Sequence, residues 1–185
     1  MAETFLHGLT RWQADTQREA VADLHVLAYD GLHGADSGSR QEFAAGFADH
    51  VQRPGFEMAV VGGSRPLGCA YGFRADRSGE WRRSYVGAVP EQIERFTASG
   101  EVFVLAELMV LPAHRRRHIA TRLQEHLLTR CRAALAVALI DPADGRARAA
   151  FRSWAWTRLG HLQSGPQAPP QDVWGRSPVV GHILG

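Results

Sequence analysis

The sequence predicts an α+β fold with a three-layer α/β/α arrangement, in which helices flank a mixed, mostly antiparallel sheet. Three observations carry this. Glu101–Val110 is the most strand-like run of the chain, and a short basic turn, an amphipathic helix and a second apolar strand (Leu135–Ile140) follow it. That is one strand–helix–strand unit. The other strand-like runs occur as a hairpin and as short C-terminal pieces, which makes the rest of the sheet antiparallel.

The elements follow in order. Asp15 or Thr16 is expected to cap a first helix running toward Tyr29, with Ala20, Val21, Leu24, Val26, Leu27 and Ala28 as its apolar positions. Gly31 to Gly38 reads as a loop. Ser39 then opens a second helix with Phe43, Phe47 and Val51 on one face, ending near Pro54-Gly55. Phe56–Val61 and Pro66–Phe73 form a hairpin across Gly62-Gly63-Ser64-Arg65. Arg74–Val86 lacks a clear period and reads as a loop. Pro90, at a helix N1 position, introduces a short helix over Glu91–Ala98.

After the central strand, a helix from about Arg116 to Arg132 is expected to bury Ile119, Leu123, His126 or Leu127, and Cys131. A last helix spans Asp144–Leu159 and is stopped by Gly160. A loop rich in Gly, Pro and Gln (Ser164–Gln171) precedes short strands around Val173 and over Val179–Leu184.

Composition narrows the function classes. The 185 residues read as one domain, residues 1–185, able to bury a core of its own. No apolar run approaches the roughly 20 residues of a membrane span, and no leader pattern is evident. Cys69 and Cys131 lack metal-ligand spacing and read as reduced thiols of a cytoplasmic protein. All 21 basic residues are arginine, so no lysine can serve as Schiff base or catalytic base. A net charge of +2 argues against generic nucleic-acid binding.

The most informative stretch joins the central strand to its helix. Arg115, Arg116 and Arg117 stand where the chain enters the helix. Helix N-termini offer unpaired backbone N–H groups and a positive dipole end, so an anion such as a phosphate group is the expected ligand.

Val110, Pro112, Arg115, Ile119, Ala120 and Leu123 fall at the spacings of the signature V-x-P-x-x-R-G-x-G-x-G/A. Ala147, Phe151, Ala155 and Trp156 echo a second segment, A-x-x-x-Y-x-x-x-G-F. On these residues the chain resembles the GNAT superfamily of N-acetyltransferases, over roughly residues 57–163. The resemblance implies a GNAT-like sheet whose two central strands splay, Leu135–Ile140 being the second of them. It implies an acyltransferase using acetyl-CoA, or another acyl-CoA, as co-substrate, with no metal.

By the same resemblance, residues Arg115, Arg116, Arg117, His118, Ile119, Ala120 and Thr121 would hold the CoA pyrophosphate. Leu108, Met109 and Val110 would pair with pantetheine, and one amide near Met109 or Val110 would polarise the thioester carbonyl. Glu107 would be the base that deprotonates the acceptor amine.

Four positions depart from the pattern. Arg116 and His118 stand at frequent glycines, His118 at the closest approach to phosphate, where an imidazole would obstruct, turn outward or bind. Ala155 replaces another glycine. Phe151 stands at the tyrosine that often protonates the leaving thiolate, so it is expected to pack on the pantetheine arm while Tyr71 or Tyr85 replaces the acid. The donor therefore stays open between acetyl-CoA and a larger acyl-CoA, a carrier protein or an aminoacyl-tRNA; a non-catalytic acyl-CoA-binding or partner-binding domain is the other alternative.

The acceptor is expected to be a small-molecule amine, bordered by Tyr71, Trp81 and Tyr85. Asp30, Asp36, Glu42 and Asp49 are surface acids that attract a cation or simply solvate the helices. His114 and His118 share i, i+4 spacing without a third ligand. Val179–Leu184 would pair across a homodimer.

Overall fold

The computed structural model describes residues 5–29 and 37–178. Asp30, Asp36, most of the loop expected from Gly31 to Gly38, and the strand and dimer contact expected over Val179–Leu184 lie outside them. In chain order the elements are β1 (Leu6–Leu9), α1 (Arg11–Thr16), α2 (Arg18–Tyr29), α3 (Ser37–Gln52), β2 (Glu57–Gly62), β3 (Pro66–Arg74), α4 (Glu91–Ser99), β4 (Val102–Val110), α5 (Ile119–Arg130), β5 (Leu135–Ile140), α6 (Gly145–Ser153), β6 (Thr157–Leu162) and β7 (Gln171–Arg176). The α+β class and the mixed sheet are as expected. The residues group into two compact units, Met1–Phe73 with Ala106–Arg130, and Arg74–Leu105 with Cys131–Gly185.

In the first unit β1, β2 and β3 form an antiparallel meander, and the second half of β4 follows β3. Thr10 starts α1 with a capping box. Its hydroxyl accepts from the Gln13 N–H at 3.2 Å, and the Gln13 side chain accepts from the Thr10 N–H at 2.9 Å. The first helix expected from Asp15 or Thr16 is thus corrected: a short helix starts at Arg11, Gln17 caps it, and α2 begins at Arg18. Val21, Leu24 and Ala28 of α2 and Phe47 and Val51 of α3 join Met58, Val60, Cys69, Tyr71 and Met109 in one core. In α5, Leu123 and Leu127 are fully buried, while His126 is only half-buried.

Gly68 fixes the spacing of β3 from β4. A Cβ there would lie 2.9 Å from the Met109 carbonyl oxygen, 3.2 Å from Ile119 Cγ2 and 3.3 Å from Val110 Cγ2. Two backbones and the first turn of α5 close on a position that only glycine fits.

In the second unit β4 runs parallel to β5 in the register Val102↔Leu135, Phe103↔Ala136, Val104↔Val137. β7 pairs antiparallel with β5 and β6. Ile93 of α4 packs with Val102, Leu135 and Val137 in its core. Pro90 caps α4 from outside, so it is not N1. Arg74–Val86, read as a loop, contains a 3-10 turn at Glu80–Arg82, and Tyr85 bridges to Leu162. The buried Asp172 on β7 is paired with Arg158 at 2.8 Å, which offsets the cost of removing its charge from water.

The last helix is shorter than its pattern suggests, because α6 ends at Ser153. The Trp156 N–H donates to the Phe151 carbonyl at 3.0 Å and the Ala155 N–H to the Arg152 carbonyl at 3.1 Å. Ala155 has φ 60°, and the Phe151 and Trp156 rings meet at 5.0 Å. This is a Schellman stop with its hydrophobic contact, made with alanine where glycine is usual. Gly160, expected to end the helix, lies inside β6, and a Cβ there would be 2.0 Å from the Tyr85 hydroxyl.

Two substitutions test this packing. Gly68→Ala is expected to destabilise by about 1–3 kcal/mol, because the new methyl meets backbone and branched side chains that have nowhere to move; urea denaturation measures it. Ala155→Gly is expected to raise stability by up to about 1 kcal/mol, the left-handed cost of alanine less the entropy of glycine; a melting curve with a higher midpoint is the expected readout.

Candidate active site

The candidate site is built in the first unit around the second half of β4. Ala106, Glu107 and Leu108 are half-buried there, while Met109 and Val110 are buried. A carboxylate in an otherwise apolar strand needs a compensating partner. The Tyr29 hydroxyl, on the last residue of α2, donates to Glu107 Oε2 at 3.3 Å. Burial pushes the Glu107 carboxyl up to about 7, against the smaller, opposite pull of the Tyr29 hydrogen bond. Glu107 therefore titrates around neutrality, where a general base works best.

The rest of the surround is largely neutral and aromatic. Cys69 and Tyr71 of β3 feel the Glu107 charge, and burial raises both far above their usual range, so both stay protonated. His50 Nδ1 lies 3.4 Å from the Tyr71 hydroxyl. Burial lowers His50 first, then the Arg53 charge, against a weaker opposite effect of Asp49. Burial also lowers His25, whose ring stacks on Phe43 at 4.1 Å and lies 4.9 Å from the Tyr29 ring. Phe47 connects these rings to Phe56 and Tyr71. The spacing of His25 and Tyr29, four residues apart on α2, could have signalled a shared face, but neither residue was singled out from the sequence.

Beyond β4 the chain makes a 3-10 turn at Pro112–His114, and Arg115 is extended. Its guanidinium donates from Nε to the Val110 carbonyl at 3.2 Å and from a terminal nitrogen to the Ala28 carbonyl at 2.6 Å. Arg115 thus ties the end of β4 to the last turn of α2. Arg116, Arg117 and His118 are exposed, with Arg116 at φ 60° and His118 at φ 57°. Both left-handed residues stand at the glycines of the sequence signature. They delay the helix, expected from Arg116, until Ile119, and the Arg122 N–H takes the His118 carbonyl as its acceptor at 3.0 Å. The N–H groups of Ile119 and Ala120 have no carbonyl one turn back within α5, which is the arrangement an anion can use.

Trp81 packs against the core of the second unit, and the Tyr85 hydroxyl donates to the Leu159 carbonyl at 2.6 Å. Phe151 is buried against Trp154 and Trp156. Glu42 and Asp49 are exposed on α3. Both cysteines are buried and neither forms a disulfide. Among the described residues no helix is long and apolar enough to cross a membrane, and no group of three or more His, Cys, Asp or Glu could hold a metal ion.

The raised Glu107 pKa makes stability depend on pH. Between the unfolded value of 4.5 and the folded value of about 7, the folded chain binds the extra proton, so stability falls as pH rises through this window. Glu107→Gln is expected to abolish that slope and to leave the variant up to about 3 kcal/mol more stable than the parent above pH 8. Urea titrations at pH 4, 6 and 8.5 measure it; parallel slopes in both proteins would contradict a raised Glu107.

Comparison with known proteins bears on the fold and the family. The model of the acetyltransferase (GNAT) family matches residues 18–155. No curated protein matches the sequence. Among solved structures, an acetyltransferase from Thermus thermophilus is similar with a TM-score of 0.65 at 13% identity, covering 96% of this chain and 99% of that one. The PaiA N-acetyltransferase of Thermoplasma acidophilum, in complex with coenzyme A, aligns with a TM-score of 0.60 at 7% identity over 94% and 99% of the two chains. YncA from Salmonella typhimurium, with its cofactor acetyl-CoA, aligns with a TM-score of 0.59 at 14% identity over 100% and 99%. At these identities the structures speak for the fold, and the family match covers most of the chain: it belongs to the GNAT family of acetyltransferases.

Proposed function

We propose that this enzyme transfers an acetyl group from acetyl-CoA to a small-molecule amine, by direct attack in a ternary complex, with Glu107 as the base. One observation carries the reading: a half-buried carboxylate, pushed up to about 7 by burial and held by the Tyr29 hydroxyl, stands on β4, the strand that leads into the Arg115–Ala120 turn. The acceptor arrives as an ammonium ion, and Glu107 takes its proton, directly or through a water. The freed nitrogen attacks the thioester carbonyl carbon, and a backbone N–H near Met109 or Val110 donates to the developing oxyanion. The C–S bond then breaks, the thiolate leaves with the bonding pair, and the proton shed by the nitrogen as it becomes an amide ends on sulfur. A thiolate is a good leaving group, so phenylalanine at position 151 is compatible with turnover.

The residues at the start of α5 suit a pyrophosphate. Ile119, Ala120 and Thr121 open the helix, and the exposed Arg116, Arg117 and His118 flank it with charge or hydrogen-bond donors. Leu108, Met109 and Val110 would line the pantetheine path. Coenzyme A in the PaiA complex and acetyl-CoA in the YncA structure support this choice of donor.

Two measurements test the proposal. Acetyl-CoA at about 100 times its Kd is expected to stabilise the fold by about 2.7 kcal/mol; no thermal shift with acetyl-CoA, longer acyl-CoAs or free CoA would remove it. With thiol release followed over a panel of primary amines, Glu107→Gln is expected to lower kcat/KM by about 10²–10⁴-fold and to flatten its rise around pH 7, with CoA affinity nearly unchanged.

A further inference from the structure

We propose that Tyr29 is a positioning residue of this site: its phenol O–H donates to the Glu107 carboxylate, fixes its orientation and stabilises its charged form. The inference rests on the reading of Glu107 as base, and adds the residue that tunes it. Four observations support it.

The Tyr29 hydroxyl and Glu107 Oε2 are 3.3 Å apart, long for an O–H···O bond but a distance that catalytic pairs shorten when substrate binds. Tyr29 ends α2, and the preceding Ala28 carbonyl is anchored by Arg115 at 2.6 Å, so the phenol stands on a fixed helix terminus. Its ring rests against His25, which is in turn stacked on Phe43.

The fourth observation concerns the neighbours. From α2, Tyr29 and its neighbour His25 face this region; from β3, Cys69 and Tyr71; from α3, His50 through Tyr71. Cys69 and Tyr71 remain protonated, and burial shifts His25 and His50 toward their neutral forms. The Tyr29 hydrogen bond is the influence that opposes burial at Glu107. Removing it leaves burial unopposed, so the proton affinity of the carboxyl rises.

The test is a ¹³C-NMR titration of the glutamate carboxyls, with the Glu107 signal assigned by its loss in Glu107→Gln. Tyr29→Phe is expected to raise the Glu107 midpoint by about half a pH unit, the size of one weak hydrogen bond to a charged group. Tyr29→3-fluorotyrosine, a more acidic donor of nearly the same shape, is expected to lower it, and decides the matter where the phenylalanine variant fails to fold. A midpoint unmoved or lowered in Tyr29→Phe, or unmoved by the fluorinated residue, overturns the proposal.

The acid limb of the kcat/KM profile then separates this inference from the reading beneath it. A limb that moves with the NMR midpoint, while KM for acetyl-CoA stays constant, supports both. A limb that stays fixed while the midpoint moves removes Glu107 as base and leaves the Tyr29–Glu107 coupling intact. A fixed midpoint with a limb that Glu107→Gln abolishes removes Tyr29 alone.

Discussion

The candidate site depends on one guanidinium. Arg115 donates to the Val110 carbonyl, where β4 ends, and to the Ala28 carbonyl in the last turn of α2. A helix leaves its last carbonyls without partners and carries partial negative charge there, so a fixed cation answers both needs. Three features are then set together: the strand that carries Glu107, the helix end that carries Tyr29, and the turn that delivers α5. The resemblance to the family casts this arginine as a phosphate ligand. Its geometry here is that of a clamp on backbone oxygens, and the exposed charges at the turn are those of Arg116 and Arg117.

The clamp also bears on the turn that follows. Arg116 and His118 both adopt left-handed backbone, which costs a residue with a Cβ about 1–2 kcal/mol. Ala155 does the same at the end of α6. In each case the family pattern has glycine, and this chain keeps the conformation without the residue that makes it cheap. Surrounding hydrogen bonds hold the shape: Arg115 before the first turn, and the Phe151 and Arg152 carbonyls around Ala155. The side chain of His118 stands exposed.

These same residues explain what could and could not be read from sequence. The apolar runs at Leu135–Ile140 and Glu101–Val110 announce strands because burial leaves little room for polar side chains, and Glu107 stands out against that background. Helix ends were harder to read. α5 starts three residues later than its pattern, and α6 stops six residues sooner, because the glycines that mark such ends are arginine, histidine and alanine here. Thr10-x-x-Gln13 did carry a legible signal for α1, a capping box, but four-residue β1 is too short to show a period beside it. Tyr29 was out of reach for another reason. It meets Glu107 across 78 positions of chain, and local periodicity says nothing about contacts of that range.

The placement of Glu107 has a cost that bears on its role. Burying a carboxyl deeply enough to raise it from 4.5 to about 7 withholds stability from the folded chain at every pH above that range. An apolar residue in the same half-buried position would carry no such penalty and would suit a strand bounded by Met109 and Val110. Aromatic rings and protonated groups around it keep the environment apolar, while a single phenol restrains the shift. Burial without the phenol would shift the carboxyl further toward its protonated form at neutrality, leaving less of it able to accept a proton. The phenol without burial would leave it ionised but too weak a base for an ammonium ion. The two influences oppose each other on one side chain, and under the proposed mechanism their balance lies where proton transfer from an amine would use it.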